Sequence, residues 1–593
     1  MAAKTKLELT WIGKDIRPRL EPRILIEEPD LSYHAKARRD GDIFDNLLIH
    51  GDNLLALKAL EADPAVRGKV KCVYIDPPFN TGAAFEHYDD GLDHSIWLGL
   101  MKERIELLKA LLSEDGVLWI HIDDKEMAYL RVMCDEVMGR SNFLNMIVVK
   151  TSDPSGHKTV NPSPYSQTEY ILMYAKDRRL YRYEQRYVET SYDPGYNKYI
   201  TNRGDHHSKW NVVGLNEFMA KKLGCENTRE ARQRFGRVGF DAQVAQFALE
   251  NAASVFQATA ISNDAGRGIV ELRDKSANSP DEVMVFHREN FEDVYILNGR
   301  QVYFYSSKIR LVEGERVPAK PLTNLWTDIP YNGIAREGGV TFKNGKKPER
   351  LIARCIELTT EPGDLVLDSF AGSGTTGAVA HKMGRRWIMV ELGDHAKSHI
   401  LPRLKRVIDG ADRSGVTEAV NWKGGGGYRF ARLAPSLLEM DAWGNWVIRK
   451  EYNPTMLAEA MCKHFNYTYA PSTEHFWMHG HSSETSYIYV TTNSLTGEQL
   501  RALSDEVGEH RSLLICCKAF EEQSARALSN LTIRKIPGAV LDRCEWGKDD
   551  YSLKIESLPM MQEDEEEDLP LAPKRNGKKD PATGDLFADE AER

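Results

Sequence analysis

An apolar run, Leu365-Val366-Leu367, ends at Asp368 and passes straight into Phe370-Ala371-Gly372-Ser373-Gly374, after which residues 375–383 read as a helix closed by Gly384. A strand, a glycine-rich turn and a helix in immediate succession form a βα unit, and such units pack into largely parallel sheets with helices on their faces. The chain is thereby committed to an α/β architecture. The glycines let the backbone approach a ligand at a helix N-terminus, which suits a phosphate, a dinucleotide or an adenosyl group. No Lys-Ser or Lys-Thr pair follows them, so the turn is not a phosphate-binding P-loop. Gly372, Gly374 and Gly377 match the spacing of the dinucleotide fingerprint, and Glu391, closing the next apolar run, suits ribose hydroxyls in either kind of cofactor. The loop specifies an adenosine-type cofactor and leaves hydride and group transfer both open.

A second apolar run, residues 70–75, ends in Asp76-Pro77-Pro78-Phe79. Two prolines fix their own φ angles and donate no N–H, so the turn is rigid and its carbonyls remain acceptors for a ligand. A carboxylate, rigid carbonyls and an aromatic face together suit the exocyclic amino group of a planar base. The bland alternative is ordinary turn chemistry, with Asp bonding its own backbone and proline setting the bend. A base-amino pocket has no obvious use in a dehydrogenase, so the two segments together favour methyl transfer. In an open parallel sheet, ligands bind at the carboxyl ends of the strands near a switch point. Asp52, Asp76, Gly372 and Glu391 each stand at or just after the end of an expected strand. Parallel neighbouring strands would bring all four to one edge.

These residues resemble a known family. FAGSG and DPPF motifs, with DPPF first, are similar to those of the β-class S-adenosylmethionine-dependent DNA amino-methyltransferases, and more narrowly to the modification subunits of type III restriction-modification systems. Residues 49–57, 74–82, 169–176 and Lys346-Lys347-Pro348 carry the likeness further. The resemblance implies a Rossmann-like methyltransferase sheet built from two sequence-distant halves, with an inserted target-recognition domain and a small C-terminal α/β domain. It implies S-adenosyl-L-methionine as cofactor. Asp368, Phe370, Gly372, Ser373, Gly374 and Thr375 would hold its methionine and sugar parts, Glu391 the ribose and Asp52 the adenine amino group. Lys347 and Pro348, ahead of a helix over 349–358, would close over the methionine end; otherwise Lys347 is a solvated basic residue at a turn. Asp76 and the Pro77 carbonyl would grip the target amino group, with Pro78 in the same catalytic turn, and Phe79 would stack on its ring, where many relatives carry Tyr. The implied reaction is transfer to N6 of adenine in double-stranded DNA after base flipping. Cytosine-N4 methylation is the near alternative, disfavoured by Asp at position 76. A DNA-binding specificity subunit without catalysis, and an RNA substrate, are the others. The implied partners are a second copy of the chain and a separate helicase-nuclease subunit.

The implied organisation is an arm over 1–45, the first catalytic half over 46–176, target recognition over 177–326, the second half over 327–409, a C-terminal domain over 410–558 and an acidic tail over 559–593. The size of the chain, 593 residues, accommodates this. Its net charge of −10 is unevenly spread: an acidic run fills 563–568, whereas the middle segment is slightly basic. Local fields decide contact with phosphates. In that segment Tyr192, Tyr196, Tyr199 and Trp210 interleave with Lys198, Arg203 and Lys209, and read equally as a stacking surface or as a small mixed core. Arg232, Arg234 and Arg237 read as a solvated helix face or as base readers. From Gly410 the sequence leaves the catalytic pattern, with residues 422–430 read as a flexible link into a strand. The eight cysteines lack metal or redox spacing, and His475, His479 and His481 lack partners for a metal site. No signal peptide or membrane span is expected, and a reducing cytoplasm is the expected setting.

Overall fold

The structure, a computed structural model, describes residues 8–11, 13–78, 94–152, 164–289, 291–312, 314–331, 333–342 and 345–552. Phe79 and the acidic tail lie outside them. The described residues up to Asp550 form one compact unit.

Eleven strands form the central sheet of this unit: β1 (Leu25–Glu27), β2 (Tyr33–His34), β3 (Asn46–His50), β4 (Val70–Ile75), β5 (Leu112–Ile122), β6 (Phe143–Lys150), β7 (Thr168–Ala175), β8 (Leu325–Trp326), β9 (Leu365–Asp368), β10 (Arg386–Glu391) and β11 (Gly427–Leu433). Their order is β1-β11-β3-β10-β9-β4-β5-β7-β6-β8, with β2 also on β11. The six strands from β11 to β5 are mutually parallel, and β7 is antiparallel to both β5 and β6. This is a Rossmann-like, doubly wound sheet. Its two halves interleave: β9 pairs with β4 and β10 with β3, so neither half owns a complete sheet. Helices α1 (Asn53–Glu61), α2 (His94–Leu111), α3 (Asp124–Cys134), α4 (Glu349–Glu357), α5 (Thr375–Lys382) and α6 (Leu401–Ile408) connect these strands. Both faces of the central strands are covered, which is why β4 and β9 read as near-continuous apolar runs rather than alternating ones. From β9 the chain proceeds through α5 to β10 on one side, and from β4 through α2 to β5 on the other. The β9–β4 boundary is therefore the switch point, where crevices open at the carboxyl ends of strands.

The sheet overruns two expected boundaries. β1 and β2, from the supposed arm, pair antiparallel with β11, which itself lies parallel to β3. The stretch read as a flexible link is bonded in: Gly425 N–H donates to the Ile408 carbonyl at 2.8 Å and Asn46 Nδ2 to that of Gly427 at 2.9 Å. Tyr428 and Phe430 are fully buried. Pairing between segments so far apart leaves no local trace in the sequence.

The insertion leaves and returns through a zipped neck, Tyr187–Glu189 against Glu315–Pro321, and β8, which fell inside its expected bounds, belongs to the central sheet. Between the neck strands stand a six-stranded antiparallel sheet and helices Leu215–Lys222, Thr228–Phe235 and Arg237–Glu250. The aromatic residues there make a core: Tyr196 and Trp210 are buried, and Tyr199 packs between Phe218 and Phe247. Arg203 lies 4.0 Å over the Trp210 ring. Arg232 and Arg237 share Asp241 on an exposed helical surface. The C-terminal region adds a five-stranded sheet with helices Pro454–His464 and Gly497–Val507. Among the described residues no helix is long and apolar enough to cross a membrane, and no histidine, cysteine or carboxylate group is placed to hold a metal.

Candidate active site

Strands β3, β10, β9 and β4 are parallel neighbours, so Asp52, Glu391, the glycine turn and Asp76 all fall on one edge of the sheet. Each is held there by its own local chemistry. Asp52 is the N-cap of α1, its Oδ1 accepting from Leu55 N–H at 3.0 Å, with Arg104 3.7 Å from Oδ2. Asn53, beside it, donates to the Ser369 carbonyl at 2.8 Å and so ties α1 to the glycine turn. Glu391 accepts from Gly372 N–H at 2.7 Å and Gly393 N–H at 3.0 Å, and lies 2.9 Å from His395 Nε2. The carboxylate expected at a ribose thus also shapes the turn.

The turn is built for close backbone approach. Gly374 sits at φ +75°, and a Cβ there would meet Ile400 at 2.9 Å, so a side chain is excluded on both counts. Among the described residues Ser369 Oγ has no hydrogen-bond partner, although it is buried at the base of the turn. Asp368 accepts from Phe370 N–H at 2.9 Å and from Thr376 Oγ1 at 2.6 Å. Behind the turn, Arg403 donates to Thr375 Oγ1 at 2.8 Å and lies 3.3 Å from the Ser373 carbonyl, so these two side chains serve the loop's shape. Arg403 in turn is paired with Glu349, and Glu349 with Lys382, at 2.9 and 2.7 Å, all fully buried; Lys382 also meets Asp412.

Burial pushes the Asp368 carboxyl up to about 7, against the downward pull of its two hydrogen bonds. The folded protein therefore holds a proton that the unfolded chain releases, and stability falls as pH rises from the unfolded carboxylate range near about 4 through about 7. Melting scans across this window should show the wild-type midpoint declining and the decline flattened in Asp368→Asn. Parallel curves for the two proteins would contradict this assignment.

Asp76 follows β4 with its side chain 19% exposed. Its Oδ1 lies 3.3 Å from Lys347 Nζ, which is also 3.1 Å from Glu169 Oε2. Pro348, the N-cap of α4, sets the lysine's approach. The Pro78 carbonyl, expected to face a ligand, already accepts from the Trp97 indole N–H at 2.8 Å, which pins the turn. Burial raises the Asp76 carboxyl above the ordinary range despite Lys347 and His121. Burial also pushes Lys347 down, but Asp76 and Glu169 outweigh it and hold the ammonium charged. Lys347 is thus a buried cation bridging two carboxylates rather than a solvated turn residue. Sequence reasoning missed Glu169, His121 and Arg403 as members of this edge. His121 carried a signal: a polar residue within the wholly buried end of β5 requires a partner.

Fold and edge together define a class, α/β proteins that bind an adenosine-type cofactor beside a carboxylate-proline turn. A family profile described as DNA methylase (N6_N4_Mtase) matches residues 70–401, more than half of the chain, and the chain belongs to that family. It is 35% identical over 437 residues, 68% of this chain and 55% of the relative, to the probable type III restriction-modification enzyme HindVI Mod subunit of Haemophilus influenzae. It is 27% identical to the type III EcoPI Mod subunit of Escherichia phage P1, over 64% of this chain and 62% of that protein. The match thus spans little more than half the length of these curated relatives. Among solved structures, the PvuII DNA methyltransferase (cytosine-N4-specific) aligns over 65% of this chain and 95% of its own, with 14% identity and a TM-score of 0.31.

Proposed function

We propose that this chain is a site-specific DNA methyltransferase that takes its methyl group from S-adenosylmethionine and places it on N6 of adenine. The observation that carries this is the shared edge: the glycine turn after β9 and the carboxylate turn after β4 flank the switch point on adjacent strands. The buried Ser369 hydroxyl and the side-chain-free approach at Gly374 fit a cofactor in the turn. Phe370, Gly372, Ser373, Gly374 and Thr375 would hold it, with Glu391 at the ribose and Asp52 at the adenine. When bound, that cofactor supplies an electrophilic methyl group.

The protein's own task is then alignment and polarisation. Asp76 and the Pro77 carbonyl accept the two N–H bonds of the target amino group and turn its lone pair toward the methyl. Trp97 keeps the proline turn rigid through Pro78. Alignment of this kind contributes up to about 7–11 kcal/mol in well-oriented model reactions. The target base has to leave the duplex to reach Asp76, which costs a few kcal/mol offset by stacking and hydrogen bonds in the pocket. The insertion, standing between the two halves with exposed arginines on helix Thr228–Phe235, is the reader of sequence in this account. The Mod relatives support a modification subunit of a type III restriction-modification system; a second copy of the chain and a separate restriction subunit are its proposed partners. Incubating the protein with unmethylated plasmid and methyl-labelled S-adenosylmethionine should leave label in the DNA. Cofactor binding without label in DNA would defeat the proposal.

A further inference from the structure

Strands β4, β5 and β7 are neighbours, with Ile75 opposite Ile120 and Ile122 opposite Tyr170. Asp76, His121 and Glu169 consequently stand side by side at the catalytic edge. The Lys347 ammonium reaches them from the turn before α4 and is shared between Glu169 at 3.1 Å and Asp76 at 3.3 Å. The sharing is uneven in its support. Glu169 Oε2 also lies 2.6 Å from His121 Nε2, and His121 Nδ1 lies 2.9 Å from the Tyr74 hydroxyl, so Glu169 is fixed from behind by two buried side chains.

A lysine facing one buried carboxylate pairs with it fully and competes for the oxygen lone pairs that would accept from a ligand. A second, better-anchored carboxylate prevents that. We propose that Glu169 is a positioning residue for methyl transfer, drawing the Lys347 ammonium aside so that Asp76 keeps acceptor capacity for the target amino group. This rests on the reading of Asp76 as that group's acceptor. The electrostatics agree with the geometry. Burial raises both carboxyls, but Lys347 and His121 overcome it at Glu169 and hold that carboxyl well below the ordinary range, while Asp76 stays above it.

Among the described residues, the titratable groups acting on or responding to Asp76 include Lys347, His121 on β5, Glu169 on β7, Tyr74 on β4, Asp368 at the end of β9 and Tyr331. Removing the Glu169 charge shifts Lys347 toward Asp76 and lowers the proton affinity of Asp76. Transfer requires ionised Asp76, so the rate climbs as pH passes its titration, and that acid limb moves to lower pH in Glu169→Gln. The plateau rate falls by up to about 100-fold, the scale of a misplaced reacting group.

The test compares full-length wild type, Glu169→Gln and Glu169→Asp in single-turnover transfer from S-adenosylmethionine to unmethylated plasmid DNA across pH, with melting midpoints measured alongside. The expected result is a slower plateau and a down-shifted acid limb in Glu169→Gln, both partly recovered in Glu169→Asp. A wild-type plateau in Glu169→Gln overturns the proposal. A slow plateau with an unmoved acid limb also overturns it, because loosened packing alone would give that. Asp76→Asn run in parallel separates the two levels. If it transfers at the wild-type rate, the reading of Asp76 fails and the proposal with it; if it is inactive while Glu169→Gln behaves as wild type, only the proposal fails.

Discussion

Asp76→Ala is expected to slow methyl transfer by about 10²–10³-fold, the usual cost of deleting one preorganised polar contact to a reacting group, while leaving cofactor affinity near the wild-type value. The separation follows from the geometry. Asp76 belongs to the turn after β4, whereas the glycine turn is shaped by Glu391, Asp368 and Arg403 from β10, β9 and α6. The variant leaves the Lys347 ammonium to Glu169, 3.1 Å away and already held by His121, so no buried cation is stranded. Calorimetric titration with S-adenosylmethionine and single-turnover transfer to DNA check the two halves of this statement. Full transfer activity in Asp76→Ala would remove the proposed mechanism; lost cofactor binding would show that the two turns are not independent.

The second large effect is on stability. Glu349 is fully buried and accepts from Lys382 at 2.7 Å, Arg403 at 2.9 Å and Val416 N–H at 3.1 Å. Glu349→Ala leaves two buried cations, with Asp412, paired to Lys382, and Glu337, which feels the Arg403 charge, as remaining carboxylates. Breaking a buried ion pair from one side costs about 3–5 kcal/mol, because the survivor keeps its desolvation penalty without its partner. The damage should also reach the ligand site, since Arg403 supports Ser373 and Thr375, and Glu349 begins the helix that follows Lys347. Denaturant unfolding should therefore show the large loss, accompanied by weaker cofactor binding. A loss below about 1 kcal/mol, the range of an exposed pair, would mean that the cluster does not anchor the turn.

The parts of the fold legible in the sequence were those with local causes. The apolar runs of β4 and β9, the glycine turn, and the helix over Thr375–Lys382 closed at Gly384 are each dictated within a few residues. The common edge of Asp52, Asp76, Gly372 and Glu391 followed from strand ends alone. What stayed hidden depended on distant pairing. β11 joins β3 across most of the chain, and β1 and β2 join β11, so the catalytic sheet extends beyond the motif-bearing segments at both ends. The site was legible for residues in motifs and illegible for those acting through them. Glu169 is the second residue of a strand that is mostly apolar beyond it, and gains meaning only when β7 is set beside β5 and Lys347. The Pro78 carbonyl was expected to face a ligand because nothing local occupies it; its partner, Trp97, comes from α2.

The central claim is tested most directly by the identity of the product. Unmethylated plasmid DNA incubated with the purified protein and S-adenosylmethionine, digested to nucleosides and analysed by mass spectrometry, should contain N6-methyladenine. N4-methylcytosine in its place would keep the fold and the chemistry of Asp76 but overturn the assignment of the base. Neither modified nucleoside, from protein that binds the cofactor, would contradict the account as a whole.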